Sequence, residues 1–208
     1  MRKGQTIAVK EVSRITNLKG CEIADGINVE NLSLDDLKMD FCGIVYATGM
    51  TAKQFGDVVG IPKRTVEQWR SGEKSVPPYT SKLILYYLIN EEYIKDYKID
   101  EQTRGKAKGK TLDVIEGKIT NLKGYEVADN VNIEEVRLSD LKMDLKDIFD
   151  KTALNTRQFA EVIGMPLRTL EDRLHIPKKN SLYINSLILY YLINEEYIKG
   201  LHIKYDKE

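Results

Sequence analysis

The chain is poor in cysteine and carries no net charge, and each shortage weakens the case for a class of protein. Its 208 residues include only two cysteines, Cys21 and Cys42. That is too few for a disulfide framework in a chain of this length. Lys plus Arg and Asp plus Glu both number 32. No overall basic excess therefore indicates nucleic-acid binding, and any charge that serves it has to be local.

Long apolar segments and catalytic patterns are missing as well. The first ten residues lack the apolar core of a signal peptide, and no run approaches the roughly 18 apolar residues of a membrane span. The sequence also lacks a Gly-rich phosphate loop, a nucleophile–base set and any spacing typical of metal ligands. We therefore expect a cytoplasmic protein that is not an enzyme, holds no metal or cofactor and does not enter a membrane.

What the sequence does contain is a repeat with a period of 104 residues. RITNLKG at 14–20 returns as KITNLKG at 118–124, and LILYYLINEEYIK at 83–95 returns unchanged at 187–199. Between the first and last of these matched segments, 42 of 82 aligned positions are identical without a gap. Such similarity indicates an internal duplication.

The repeat divides the chain into three parts. Copy 1 is taken as residues 1–98 and copy 2 as residues 112–208. The segment between them, 99–111, is rich in Gly and Lys with no apolar period. This composition predicts a flexible basic linker.

Within each copy the pattern predicts a short β-hairpin followed by four helices. CEIADGINV in copy 1 has Asp-Gly between apolar residues, a typical hairpin turn, and copy 2 has EVADNVNI at the same place. The first helix is expected to run from an N-cap at Ser33 to about residue 50. The second is capped by Thr51 and ended by Gly60, the third begins at Pro62, and the last spans 79–95. The predicted fold class is mainly α with small β-hairpins.

The most informative stretch is MTAKQFGDVVGIPKRTVEQWRSGEKSVPPY at 50–79. It predicts two short helices joined by a Gly-Ile-Pro turn, with these apolar positions facing inward: Phe55, Val59, Ile61, Val66 and Trp69. Long polar side chains are left on the outer side of the second helix. Residues 51–82 include six positive and three negative side chains, so the segment is locally basic. An exposed helix of this kind suits the major groove of DNA.

This stretch resembles the Cro and phage-repressor (Xre-like) helix-turn-helix family. The resemblance covers 33–95 and implies two tandem helix-turn-helix domains. In copy 1 it implies base-reading roles for Lys63, Arg64 and Gln68, and phosphate contacts at Thr51, Ala52, Thr65 and Lys74. Together with local charge and the matching positions of copy 2, the predicted base readers are Lys63, Arg64, Gln68 and Arg168. The predicted phosphate contacts are Thr51, Lys53, Thr65, Arg70, Lys74, Thr169, Lys178 and Lys179.

Copy 2 departs from the motif. Leu167 stands opposite Lys63, Asp172 opposite Gln68 and Arg173 opposite Trp69. An acidic Asp172 would lie near phosphates and oppose binding. Copy 2 therefore either reads a different, weaker half-site or has taken another role.

The last helix of each copy is apolar all round and needs a second buried face. We expect the copies to dock through these helices as a pseudo-dimer within the chain or, failing that, two chains to form a homodimer. The alternative is that the hairpin covers that face. The predicted packing residues are Leu85, Tyr86, Leu88, Ile89, Leu189, Tyr190, Leu192 and Ile193.

Two functions remain open on this reading. The first is sequence-specific binding of double-stranded DNA by a transcriptional regulator of phage or mobile-element type. The second is a protein-binding inhibitor or antitoxin-like factor that keeps the helix-turn-helix as a scaffold and contacts a protein partner through copy 2.

Overall fold

The chain is mainly helical, and its two copies have the same order of helices. The computed structural model describes residues 21–23, 33–95, 97–99, 125–127, 136–176, 181–199 and 201–203. Copy 1 has strand β1 (Cys21–Ile23), a 3-10 turn (Leu34–Asp36), helices α1 (Phe41–Thr48), α2 (Ala52–Val59), α3 (Lys63–Arg70) and α4 (Pro78–Asn90), and strand β2 (Tyr97–Ile99). Copy 2 has strand β3 (Tyr125–Val127), a 3-10 turn (Leu138–Asp140), helices α5 (Leu145–Asp150), α6 (Thr156–Val162), α7 (Leu167–His175) and α8 (Leu182–Asn194), and strand β4 (Leu201–Ile203). No helix among these residues is both long and apolar enough to cross a membrane.

The first predicted helix is wrong in its extent, because the chain breaks it into two parts. Ser33 and Asp36 form the expected capping box, but only a 3-10 turn follows it. The backbone of Lys38 is held from outside, since its N–H donates to the Tyr97 hydroxyl at 3.0 Å. Asp40 then caps a new helix by accepting the Gly43 N–H at 2.7 Å. Contacts with a distant strand thus override the local helical pattern.

The predicted β-hairpins are not found among the described residues. β1 pairs in parallel with β2, with Cys21 opposite Tyr97, and β3 pairs in parallel with β4, with Tyr125 opposite Leu201. The residues predicted to form the hairpin turns lie outside the described ranges. In each copy the strand after the long helix returns beside the first strand, so the sheet closes the copy on itself. The predicted linker, apart from Ile99, also lies outside the described residues.

The last helix of each copy ends earlier than its apolar pattern suggests. α4 stops at Asn90 and α8 at Asn194, and the residues two positions on, Glu92 and Glu196, have positive φ angles of 57° and 60°. Such a conformation is uncommon for a residue other than Gly. The same turn occurs in both copies and therefore belongs to the repeated structure. It directly follows Glu91 and Glu195, whose carboxyl groups contact the other copy.

The two copies share one hydrophobic core, and α4 and α8 pack against each other in it. All eight predicted packing residues are buried, and each is at most 1% exposed. The aromatic contacts are reciprocal: Tyr86 meets Tyr191 edge-on with ring centroids 4.9 Å apart, and Tyr87 meets Tyr190 at 5.0 Å. The contact that α4 makes on α8 is thus returned by α8 on α4, as in the isologous interface of a dimer.

Two hydrogen bonds cross this interface in the same reciprocal way. The Tyr86 hydroxyl donates to Glu195, and the Tyr190 hydroxyl donates to Glu91. Both carboxyl groups belong to residues that are only 8% exposed. A buried carboxyl group needs such partners because losing the hydrogen bonds it makes to water is costly. These two hydrogen bonds therefore fix the register of α4 on α8.

We expect the protein to lose stability steeply above about pH 10. Burial raises the pKa of four interface phenols well above the ordinary value, those of Tyr86, Tyr87, Tyr190 and Tyr191. In the unfolded chain they ionise near pH 10, so the unfolded state then binds fewer protons than the folded one. Their contribution is complete below that pH, and the free energy of unfolding should fall above it by up to about 5 kcal/mol per pH unit. Urea unfolding at a series of alkaline pH values measures this.

Phenylalanine variants identify the groups responsible. Tyr86→Phe combined with Tyr190→Phe removes two of these phenols, so the loss of free energy of unfolding per pH unit should shrink by up to about 3 kcal/mol. Tyr46→Phe is the control, since Tyr46 is 80% exposed and its removal should leave the slope unchanged. An unaltered slope in the double variant would contradict the assignment to these phenols.

Candidate nucleic-acid interface

The turn between α2 and α3 begins as the sequence predicts and ends one residue later than predicted. Thr51 caps α2 in a capping box with Gln54, and Gly60 ends the helix with a positive φ of 71°. Pro62 is the N-cap residue of α3 and not its first helical residue, a small correction to the predicted start. The chain therefore leaves α2 and enters α3 through a tight turn at Ile61.

Gly56 is a residue of this turn that the sequence reasoning missed. The Ile61 N–H donates to the Gly56 carbonyl at 2.9 Å. A Cβ atom added to Gly56 would lie 2.5 Å from the Ile61 carbonyl oxygen, too close without a shift of the turn. The repeat does not mark the position, because copy 2 has Ala160 where copy 1 has Gly56. The helix of copy 2 also ends one residue earlier in the repeat than α2 does.

α3 is held in place by its buried side. Val66 is fully buried and Trp69 is 8% exposed. The Trp69 ring packs edge-on against Phe41 with centroids 5.1 Å apart, and Phe41 packs in turn on Phe55 at 5.6 Å. One aromatic row thus ties α3 to both α1 and α2, which fixes the direction of its outer face.

The predicted DNA-contacting residues of copy 1 lie mostly on that outer face. Lys63, Arg64 and Arg70 are exposed, and Thr65 and Gln68 are half-buried. Thr51, Lys53 and Lys74 are exposed at the beginning of α2 and after α3. Among the described residues, Arg64 has no side-chain hydrogen bond or ion pair, so its guanidinium group is available to a ligand.

Three of these side chains already have partners in the chain. Lys63 forms an ion pair with Glu67 at 3.3 Å, and Gln68 Nε2 donates to Glu73 Oε1 at 2.8 Å. Thr51 donates both its N–H and its hydroxyl to Gln54 Oε1, at 3.0 and 2.9 Å. A phosphate contact from Thr51 would have to replace the helix cap, whereas an exposed ion pair such as that of Lys63 is weak and exchanges readily.

The matching face of copy 2 has a different character. Arg168 is exposed and Thr169 half-buried, but Glu171 and Asp172 are also exposed on α7. Leu167, opposite Lys63, is 39% exposed. Lys178 and Lys179 lie outside the described residues. The outer face of α7 is therefore less basic than that of α3.

Each helix pair is braced by the other copy. Tyr183 of copy 2 meets the Trp69 ring edge-on with centroids 6.2 Å apart, and its Cβ lies 3.9 Å from where a Cβ on Gly60 would stand. The reciprocal contact places the Arg173 guanidinium 5.6 Å from the centre of the Tyr79 ring. The orientation of α3 thus depends on copy 2 as well as on its own copy.

Comparison with known protein families, curated proteins and solved structures gives no match to the chain. The candidate interface consequently stands on its own geometry: a fixed helix with an outer face of arginine, lysine and glutamine.

Trp69 is the single tryptophan of the chain, so its fluorescence follows its contact with Tyr183 of copy 2. We expect Tyr183→Ala to uncover its ring, so that its emission moves to longer wavelength and acrylamide quenches it more strongly. Tyr93→Ala is the matched control, because the ring that Tyr93 packs on is Tyr87 and not Trp69. Both variants should unfold at lower urea concentration, since each removes an aromatic contact. Equal fluorescence changes in the two variants would show that Tyr183 does not cover Trp69 specifically.

Proposed function

We propose that the protein binds double-stranded DNA sequence-specifically through tandem helix-turn-helix units and acts as a transcriptional regulator of phage or mobile-element type. The proposal depends on the geometry of the helix pair α2–α3. The tight turn between the helices and the buried side chains of Val66 and Trp69 fix α3, whose outer face presents Arg64 and Gln68. A helix fixed in this way, with long donors outside, suits the major groove.

The charges of the segment support the same use. Arg64 is the side chain suited to bidentate contact with guanine, and Gln68 that suited to adenine. Lys53 on α2, Arg70 on α3 and Lys74 just after α3 add exposed positive charge to the same segment, which phosphates attract. Lys63 releases Glu67 at little cost because both side chains are more than half exposed. A chain of zero net charge binds DNA when its positive groups are gathered in this manner.

A second candidate is protein binding by copy 2. The exposed apolar side chains Leu167 and Ile176, 39% and 43% exposed, lie at opposite ends of α7 with Glu171 and Asp172 between them. Apolar and acidic groups on one helix suit a protein surface better than a phosphate backbone. In that case copy 1 alone makes the DNA contact, or the whole chain is an inhibitor or antitoxin-like factor.

Binding to duplex DNA from the region upstream of the protein's own gene tests the proposal. We expect Arg64→Ala and Gln68→Ala to weaken it by about 1–3 kcal/mol each, and Arg168→Ala to weaken it less, since α7 carries two acidic side chains. Fluorescence anisotropy at several salt concentrations measures this, and affinity should fall steeply with salt.

Lys95→Ala is the control for simple loss of charge, because Lys95 is exposed after α4 and outside the helix pair. It should leave specific binding nearly unchanged. Wild-type protein that shifts no duplex, or Arg64→Ala and Lys95→Ala variants with equal affinities, would count against the proposed interface. The protein-binding candidate would then be preferred.

A further inference from the structure

The hydrogen bond between Gln68 and Glu73 decides which way the Gln68 amide points. A carboxylate oxygen only accepts hydrogen bonds, so the group facing Glu73 has to be the amide nitrogen. The distance from Gln68 Nε2 to Glu73 Oε1 is 2.8 Å. The carbonyl oxygen of the amide has no hydrogen-bond partner among the described residues. One acceptor and one remaining N–H are therefore left for a ligand.

This combination matches one base. In the major groove adenine offers an amino group that donates and a ring nitrogen that accepts, and a glutamine amide satisfies both at once. Glu73 thus acts as a positioning residue, because it holds the amide in the orientation that such a pair requires.

Copy 2 has a different chemical group at the same place. Asp172 is the sixth residue of α7, as Gln68 is the sixth of α3, and both helices follow a proline N-cap. Asp172 is exposed, and its side chain forms no hydrogen bond or ion pair with any described residue. A carboxylate has no donor for the adenine ring nitrogen, but it accepts from the amino group of cytosine.

The neighbouring position is the same in both copies. Arg64 and Arg168 are each the second residue of their helix, and both are exposed. Arginine is the usual reader of guanine. The reciprocal contacts of Tyr86 with Glu195 and of Tyr190 with Glu91 relate the copies as the halves of a two-fold dimer. DNA read by such an arrangement has inverted halves.

We propose that a single chain reads an imperfect inverted repeat whose halves share a guanine and differ at one base. Arg64 and Arg168 contact the shared guanine. Gln68 contacts adenine in one half, and Asp172 contacts cytosine at the matching position of the other. The proposal rests on the proposed DNA-binding function. It also makes the site directional, so the chain binds it in one orientation.

Selection of duplexes from a random library with the full-length chain tests this. The expected product contains two inverted halves with guanine in both, and with adenine in one half where the other has cytosine. Replacing that cytosine by adenine should weaken wild-type binding roughly 5- to 150-fold. A product with adenine in both halves, or with one half only, would overturn the proposal while leaving DNA binding intact. Failure to enrich any duplex would instead overturn the proposed function.

Exchanged side chains give the matched comparison. Asp172→Gln should move the base selected in its half from cytosine towards adenine, less completely than Gln68 does in the other half, because copy 2 has Pro177 where copy 1 has Glu73. Gln68→Asp should select cytosine in both halves. Both changes are on exposed or half-exposed positions and leave the core untouched. Unchanged selected sites in both variants would overturn the assignment of bases to these residues. Circular dichroism and urea unfolding verify that the variants are folded.

Glu73→Ala tests the positioning role separately. The variant removes a negative charge, which by itself strengthens binding to every duplex equally. Loss of the fixed amide should in addition lower the preference for adenine over other bases at the Gln68 position. The ratio of affinities is therefore the readout, and an unchanged ratio would show that Glu73 does not orient the amide.

Discussion

The contact between α4 and α8 is the interaction on which the rest of the structure depends. Both helices are apolar around their whole circumference, so neither is stable with one face in water. Their union buries four tyrosines, and the hydroxyl groups of Tyr86 and Tyr190 hydrogen-bond to Glu195 and Glu91. A hydrogen bond to a charged group contributes about 1.5–3 kcal/mol, and a partner left alone in the interior costs as much. The interface therefore excludes slipped arrangements as well as open ones.

The second consequence of this contact is the position of the outer helices. Docking through α4 and α8 brings Tyr183 against Trp69 and Tyr79 under Arg173. The helix that presents Arg64 is therefore held by both copies. An isolated copy would expose an apolar helix and lose one side of this brace, so the two copies form one structural unit although each repeats the same fold.

Duplication explains why core and surface differ in their freedom to change. The segment 83–95 is identical to 187–199, and its residues Tyr86, Tyr87 and Glu91 make contacts with the other copy that the matching residues 190, 191 and 195 return. A change in one copy has to suit the unaltered partner. The outer faces of α3 and α7 have no such constraint, and Gln68 and Asp172 differ there. The chain thus combines a symmetric interior with an asymmetric surface, which a homodimer of identical subunits does not have.

Local signals in the sequence were sufficient for the caps and turns near the candidate interface. Thr51, Gly60 and the Ser33–Asp36 capping box lie where the pattern predicts, because a cap depends on residues three positions apart. The first helix was predicted too long, since Tyr97, 59 positions away, takes the Lys38 backbone out of a helix. Two parallel strand pairs were missed for the same reason: parallel strands join distant segments, and no short-range turn marks them.

The sequence by itself determined the duplication, the helices and which side of each helix faces inward, because these follow from period and local hydrogen bonding. Only the tertiary structure decided which partner each inward side meets. Periodicity shows that Trp69 is buried but not that Tyr183 of the other copy covers it. It shows that Gln68 lies on an outer face but not that Glu73, beyond the end of the helix, turns its amide. Such pairings depend on the path of the chain between helices, and no repeating pattern encodes that path.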